Sequence, residues 1–83
     1  MKFIAEIDIM PHKELLDPQG KAVLNNLGHL HLNGITDVRI GRHVQLVLDA
    51  SDEVAAAQMV EIACQKLLAN GIVETFHFVL KGA

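Results

Sequence analysis

The stretch LLDPQGKAV, residues 15–23, sets a proline and a glycine close together where an apolar helical pattern begins. Both residues usually interrupt helices. Asp17 resolves half of the conflict, because its carboxylate can accept from the free N–H groups of a first helical turn. Pro18 then falls at the first helical position, where a missing N–H costs nothing and φ is preset. Val23, Leu27 and Leu30 follow at i, i+4 and i+7, with Leu24 beside them, and Asn33-Gly34 supplies a left-handed stop. Gly20 is left over. In a helix it is about 1 kcal/mol worse than Ala, so its presence predicts that something comes close to the backbone there.

On the N-terminal side, Lys2–Met10 alternates, with Phe3, Ala5, Ile7 and Ile9 on one side and Lys2, Glu6 and Asp8 on the other. That is a strand with one wet face. On the C-terminal side, Ile35–Ile40 and Val44–Ala50 read as two strands. A three-residue loop Gly41-Arg42-His43 would set Ile40 opposite Val44 and Val38 opposite Leu46, keeping apolar residues on one face. Ser51 is the expected cap of a second helix, with Asp52 and Glu53 well placed against its dipole. Its stripe runs Ala56, Val60, Ala63, Cys64, Leu67; Met59 and Ile62 widen it, which suggests burial on more than one side. Asn70-Gly71 is its expected stop, and Ile72–Lys81 the last strand. The predicted order is β-α-β-β-α-β in a single domain over residues 1–83: α+β, ferredoxin-like, two helices on one face of an antiparallel sheet.

At 83 residues the chain can bury only about two-thirds of its unfolded surface, which leaves it marginal alone, yet 51% of its residues are apolar. With one cysteine it has no internal disulfide, so another polypeptide is the expected cover for the surplus. The net charge of −3 and the absence of Trp and Tyr argue against nucleic acid as a partner. No signal-peptide pattern or membrane-length apolar run appears, so a cytoplasmic protein without a membrane partner is expected.

Chemistry is sparse. Neither Gly-rich phosphate-loop spacing occurs. His29 and His31 point apart on a helix, and His12, His43 and His77 are dispersed, so no metal site is expected. Cys64 reads as core, Ser51 as a cap, and the Asp52-Glu53 and Glu6/Asp8 pairs as a helix start and a wet strand face. The one cationic concentration is Arg39-Ile40-Gly41-Arg42. It is either a solvated turn or a guanidinium fork for a partner's carboxylate or phosphate. Arg39 alternates away from Val38 and Ile40 and is therefore expected to reach outward.

Three stretches, LLDPQGKAV at 15–23, DVRIGRHVQL at 37–46 and KLLANGIVETF at 66–76, together resemble the PurS family, the small subunit of phosphoribosylformylglycinamidine synthase. The likeness spans nearly the whole chain. The family usually has Lys where Arg42 stands, an aromatic at His43, Pro at Gly71 and Asp at Thr75. The resemblance implies a non-catalytic assembly subunit of an ATP-dependent, glutamine-dependent amidoligase in purine biosynthesis. Such a subunit would form a homodimer or tetramer and bridge a large PurL-type synthetase and a PurQ-type glutaminase in support of ammonia transfer. ATP and Mg would sit on the synthetase, and this chain would bind no cofactor. Asp17, Pro18, Gln19, Gly20, Arg39, Gly41 and Arg42 are the expected partner contacts, with Gly20 admitting another chain's backbone. The alternative is a small regulatory domain of the same topology that binds a metabolite at a dimer interface. A standalone hydrolase of the acylphosphatase sort would want an anion loop with Arg and a nearby Asn. Met10–Leu16 offers only His12 and Lys13.

Overall fold

The period-two pattern of residues 2–11 becomes the centre of the molecule. In a computed structural model describing residues 1–83, strand β1 (Lys2–Pro11) lies between β2 (Arg42–Asp49) and β3 (Glu74–Gly82), antiparallel to both. Register follows the apolar residues. Ile7 faces Val44 and Phe78, Ala5 faces Leu46 and Leu80, and Ile9 faces Phe76. Helix α1 covers Pro18–His29 and helix α2 Glu53–Ala63, which runs on into a π-helical turn, Cys64–Leu68. Val60 and Cys64 press on Ala5, Ile7 and Ile9, and all five are fully buried. Each Ile or Val side chain so buried contributes about 1.5–3 kcal/mol.

The α+β class and the antiparallel sheet stand as expected, but the element order is β-α-β-α-β. Residues 35–40 form no strand. Their hydrogen-bonding groups go elsewhere: the Ile40 N–H donates to the Asp17 carboxylate at 2.8 Å. The hairpin through Gly41-Arg42-His43 is therefore absent, and Val44 and Leu46 pair with β1 instead.

Element ends also move. A Schellman closure ends α1 at His29: His31 N donates to Gly28 O, Leu32 N donates to Leu27 O, and His31 takes the left-handed φ of 63° expected of Gly34. Asp52 caps α2 in place of Ser51, its Oδ1 accepting from Ala55 N at 2.8 Å. The second helical run ends at Leu68, before Asn70-Gly71, where Asn70 Oδ1 instead accepts from Ile72 N and turns the chain into β3.

Only one helix covers the sheet. No residue of α1 joins the core, and its only buried residue is Gly20. The apolar side chains of the flanking strands, Val44, Leu46, Leu48, Phe76, Phe78 and Leu80, are therefore half-covered. The radius of gyration is 16.4 Å, against about 12 Å for a compact chain of this length. The accessible surface is 5929 Å², about 1,000 Å² above the usual value for this mass. No helix is long and apolar enough to cross a membrane.

Candidate functional site

The two glycine-marked motifs meet at one end of the sheet. Asp17, ahead of α1, binds both: Oδ1 accepts from Gly20 N at 3.0 Å and Oδ2 from Ile40 N at 2.8 Å. These two N–H groups, Ile40 foremost, hold the Asp17 carboxyl below its usual range. A side chain on Gly20 would run into the Val38 carbonyl oxygen and stand 2.7 Å from Asp17 Oδ2. The close approach predicted at Gly20 is thus real, but it comes from residues 38–40 of the same chain. Gly41 is notched in the same way, against the Ile9 carbonyl and the Met10 sulfur.

Arg39 turns inward. It does not reach for a partner: its Nη1 donates to Lys13 O at 3.0 Å and its Nη2 to Pro11 O at 3.0 Å and to His12 O. It closes the β1–α1 loop over its own carbonyls, with Nε buried and unpaired. Alternation within 35–40 placed it outward only because a strand was assumed there.

Arg42 points to the solvent side. Its guanidinium grips Glu74 in a fork, at 2.5 and 3.0 Å, and donates to Leu68 O at 2.5 Å. The fork holds the Glu74 carboxyl below its ordinary range, helped by Asn70 N at 2.8 Å, and raises Arg42 in turn. Arg42 thereby ties the π-helical turn to the start of β3. Its side chain stays half exposed, so the pair adds little stability by itself.

Of the seven predicted contact residues, Asp17, Pro18, Gln19, Gly41 and Arg42 line one open cleft of about 370 Å³ with Glu74. Gly20 lies beneath, buried. Arg39 lines the neighbouring cleft of about 480 Å³ with His12, Lys13 and Glu14. Glu74, the Val38 carbonyl and the loop carbonyls of residues 11–13 were not foreseen. A backbone group leaves no mark in sequence, and Glu74 had no marked partner.

On the opposite, wet face of the sheet, His43 Nδ1 lies 2.7 Å from Asp8 Oδ1 and Nε2 lies 3.2 Å from Glu6 Oε2. Asp8 first, then Glu6, raises the His43 pKa. Gln45 donates to Glu6 at 2.7 Å and, with His43, lowers that carboxyl. No group of three His, Cys, Asp or Glu side chains is placed to hold a metal ion. Cys64 is buried, and burial pushes its thiol up, away from nucleophilic use.

Known proteins share this sequence and this fold. Residues 4–82 match the family model "PurS: Phosphoribosylformylglycinamidine (FGAM) synthase". The phosphoribosylformylglycinamidine synthase subunit PurS of Synechocystis is 42% identical over 72 residues, covering 83% of this chain and 72% of the relative. The Bacillus subtilis subunit is 38% identical over 66 residues, covering 80% and 77%. Among solved structures, B. subtilis PurS superposes with a TM-score of 0.85 at 32% identity, covering 95% of this chain and 98% of that one. A chain in the structure of PurLQS from Thermotoga maritima gives 0.90 at 25% identity, covering 98% and 99%.

Proposed function

Since this chain belongs to the PurS family, we propose that it completes the synthase by binding a PurL-type synthetase and a PurQ-type glutaminase and holding them in register for ammonia transfer. It is a subunit of phosphoribosylformylglycinamidine synthase, the glutamine-dependent, ATP-using ligase of purine biosynthesis. The observation that carries the bridging role is the likeness to a chain of the PurLQS assembly. ATP and Mg belong to the synthetase subunit in this reading, and the complex works in the cytoplasm. The chain also associates with copies of itself.

The contact surface we assign is the cleft at the end of the sheet. Asp17, Pro18, Gln19, Gly41 and Arg42 line it, Gly20 lies beneath, and Arg39 braces the adjoining loop from the neighbouring cleft. The reading of the chain as a metabolite-binding regulatory domain finds no support in these likenesses.

Reconstitution tests the role. PurL-type and PurQ-type subunits are mixed with glutamine, ATP and substrate, with and without this chain. Glutamine-dependent turnover is expected only in its presence, while turnover with supplied ammonia persists without it. Equal glutamine-dependent rates in both mixtures would overturn the reading.

A further inference from the structure

The chain carries the dipeptide Asn-Gly twice, at 33–34 and at 70–71. The pair is chemically labile. Asparagine is among the thermolabile residues, and glycine has no Cβ to keep its own amide nitrogen away from the preceding side-chain carbonyl. The immediate flanks are almost the same, Leu32 and Ile35 in one case and Ala69 and Ile72 in the other. Sequence alone therefore gives the two sites equal reactivity, and any difference between them comes from the fold.

The fold treats them differently. Asn33 and Gly34 are both exposed, at the centre of a turn closed by one bond of 3.4 Å from Ile35 N to Leu32 O. No hydrogen bond holds the Asn33 amide or the Gly34 N–H, and the space beside the Gly34 Cα is open. Asn70 is tied at three of its atoms. Its N–H donates to Glu74 Oε1 at 2.8 Å, and its Oδ1 accepts from Ile72 N at 3.1 Å. Its carbonyl accepts from Val73 N at 3.0 Å and from Glu74 N at 2.6 Å. Glu74 is fixed in turn by the Arg42 fork.

We propose that Asn33 is a site of spontaneous deamidation in the folded chain and that the bonded turn around Asn70 shields the second site. The reaction needs only the chain and water. The Gly34 backbone nitrogen gives its proton to solvent base and bonds to Asn33 Cγ. The Cγ–Nδ2 bond breaks, and Nδ2 takes up protons from solvent and leaves as ammonia. Water then opens the cyclic imide at either carbonyl, which gives aspartate or isoaspartate at position 33. Ring closure requires side chain and backbone to rotate together, so at Asn70 the four bonds must open first.

Each event at Asn33 adds one negative charge to a chain of net charge −3, on a loop outside the contact cleft. The same event at Asn70 would set a carboxylate, or a lengthened backbone, beside Glu74 and disturb the grip of Arg42. The shield therefore guards the cleft. The inference needs neither the synthetase nor the glutaminase and stands apart from the functional reading.

Peptide mapping of the unmodified chain tests it. The protein is warmed at mildly alkaline pH, once in buffer and once in urea. Trypsin then separates the sites, since one lies between Lys21 and Arg39 and the other between Lys66 and Lys81. In buffer, isoaspartate and the amide-to-acid mass gain are expected at Asn33, with Asn70 slower by about tenfold or more, the slowing that a required local opening imposes. In urea the two rates should converge. Equal rates in buffer, or an Asn33 that reacts in urea and stays silent in buffer, overturn the inference. So does an Asn70 that remains as slow in urea, because its resistance would then not come from the fold. Glu74→Ala removes the acceptor of the Asn70 N–H and should speed Asn70 in buffer while the Asn33 rate stays the same. An unmoved Asn70 rate in that variant would contradict the shield, and the unmodified chain decides the matter even where the variant does not fold.

Discussion

Helices α1 and α2 differ by a single residue in length, twelve against eleven, yet the chain treats them in opposite ways. Helix α2 buries Ala56 and Val60, and its continuation buries Cys64, all against β1. It is held along its length by apolar side chains. Helix α1 stays outside that core, and its first turn is pinned by a carboxylate, two N–H groups and a glycine notch. The first kind of attachment is the chain's own stability. The second fixes where the helix points and leaves its side free for another surface. Both helices carry apolar stripes in the sequence, so a stripe shows that a face will be covered and not which polypeptide covers it.

The largest effect should follow from the α2 side. Ile7→Ala, at the fully buried centre of β1, is expected to cost about 2–5 kcal/mol and to abolish a cooperative thermal transition in so small a chain. A loss below 1 kcal/mol in urea unfolding would mean that the core lies elsewhere. Next comes the root of α1. Gly20→Ala drives a methyl into the Val38 carbonyl and should lower stability by about 1–3 kcal/mol, the usual overpacking range, and Asp17→Ala by about 1–2 kcal/mol through the lost cap. Unchanged unfolding of Gly20→Ala, with assembly lost, would return Gly20 to the role of a partner contact.

On the free side of α1 the comparison sharpens. Val23→Ser should change the stability of the dissociated chain by no more than about 0.5 kcal/mol, yet weaken self-association measured by sedimentation. Arg42→Ala should weaken the complex with the synthetase, and the weakening should shrink as salt is raised. A salt-independent loss would point to packing.

The smallest effect is electrostatic. His43, raised by Asp8 and Glu6, contributes stability that is complete below its unfolded value of about 6.5 and is lost as pH rises through its higher folded value. Asp17 and Glu74, both lowered, contribute above their unfolded values and are lost as pH falls through their lower folded ones. Melting temperature should therefore decline gently above neutrality and steeply in acid. His43→Gln should flatten the first slope and leave the second.

What could be read in the sequence was what side chains do among near neighbours. The alternation of Phe3, Ala5, Ile7 and Ile9 gave β1 and the buried face, and Asp17-Pro18 gave the start of α1, because cap and N–H are three residues apart. The apolar sides of Val44–Leu48 and Phe76–Leu80 were equally plain. What failed depended on backbone partners far along the chain. Residues 35–40 alternate like a strand, but the Ile40 N–H goes to Asp17, 23 residues away, and Arg39 turns in to three loop carbonyls. Nothing in one sequence pairs those positions. Gly20 announced a close neighbour without naming it, and the neighbour was the other glycine-marked motif. The helix stop passed from Asn33-Gly34 to His31 because Leu32 and His31 could close a Schellman pair three residues earlier than the glycine signalled.

Native-state hydrogen exchange at a series of protein concentrations tests the contrast between the helices most directly. In the dilute chain, the Val60 amide of α2 should exchange only through global unfolding, while the amides of Leu24 and Leu27 in α1 exchange through a cheaper local opening. That gap should narrow as concentration rises and copies of the chain associate. Equal protection of the two helices at every concentration would contradict the account.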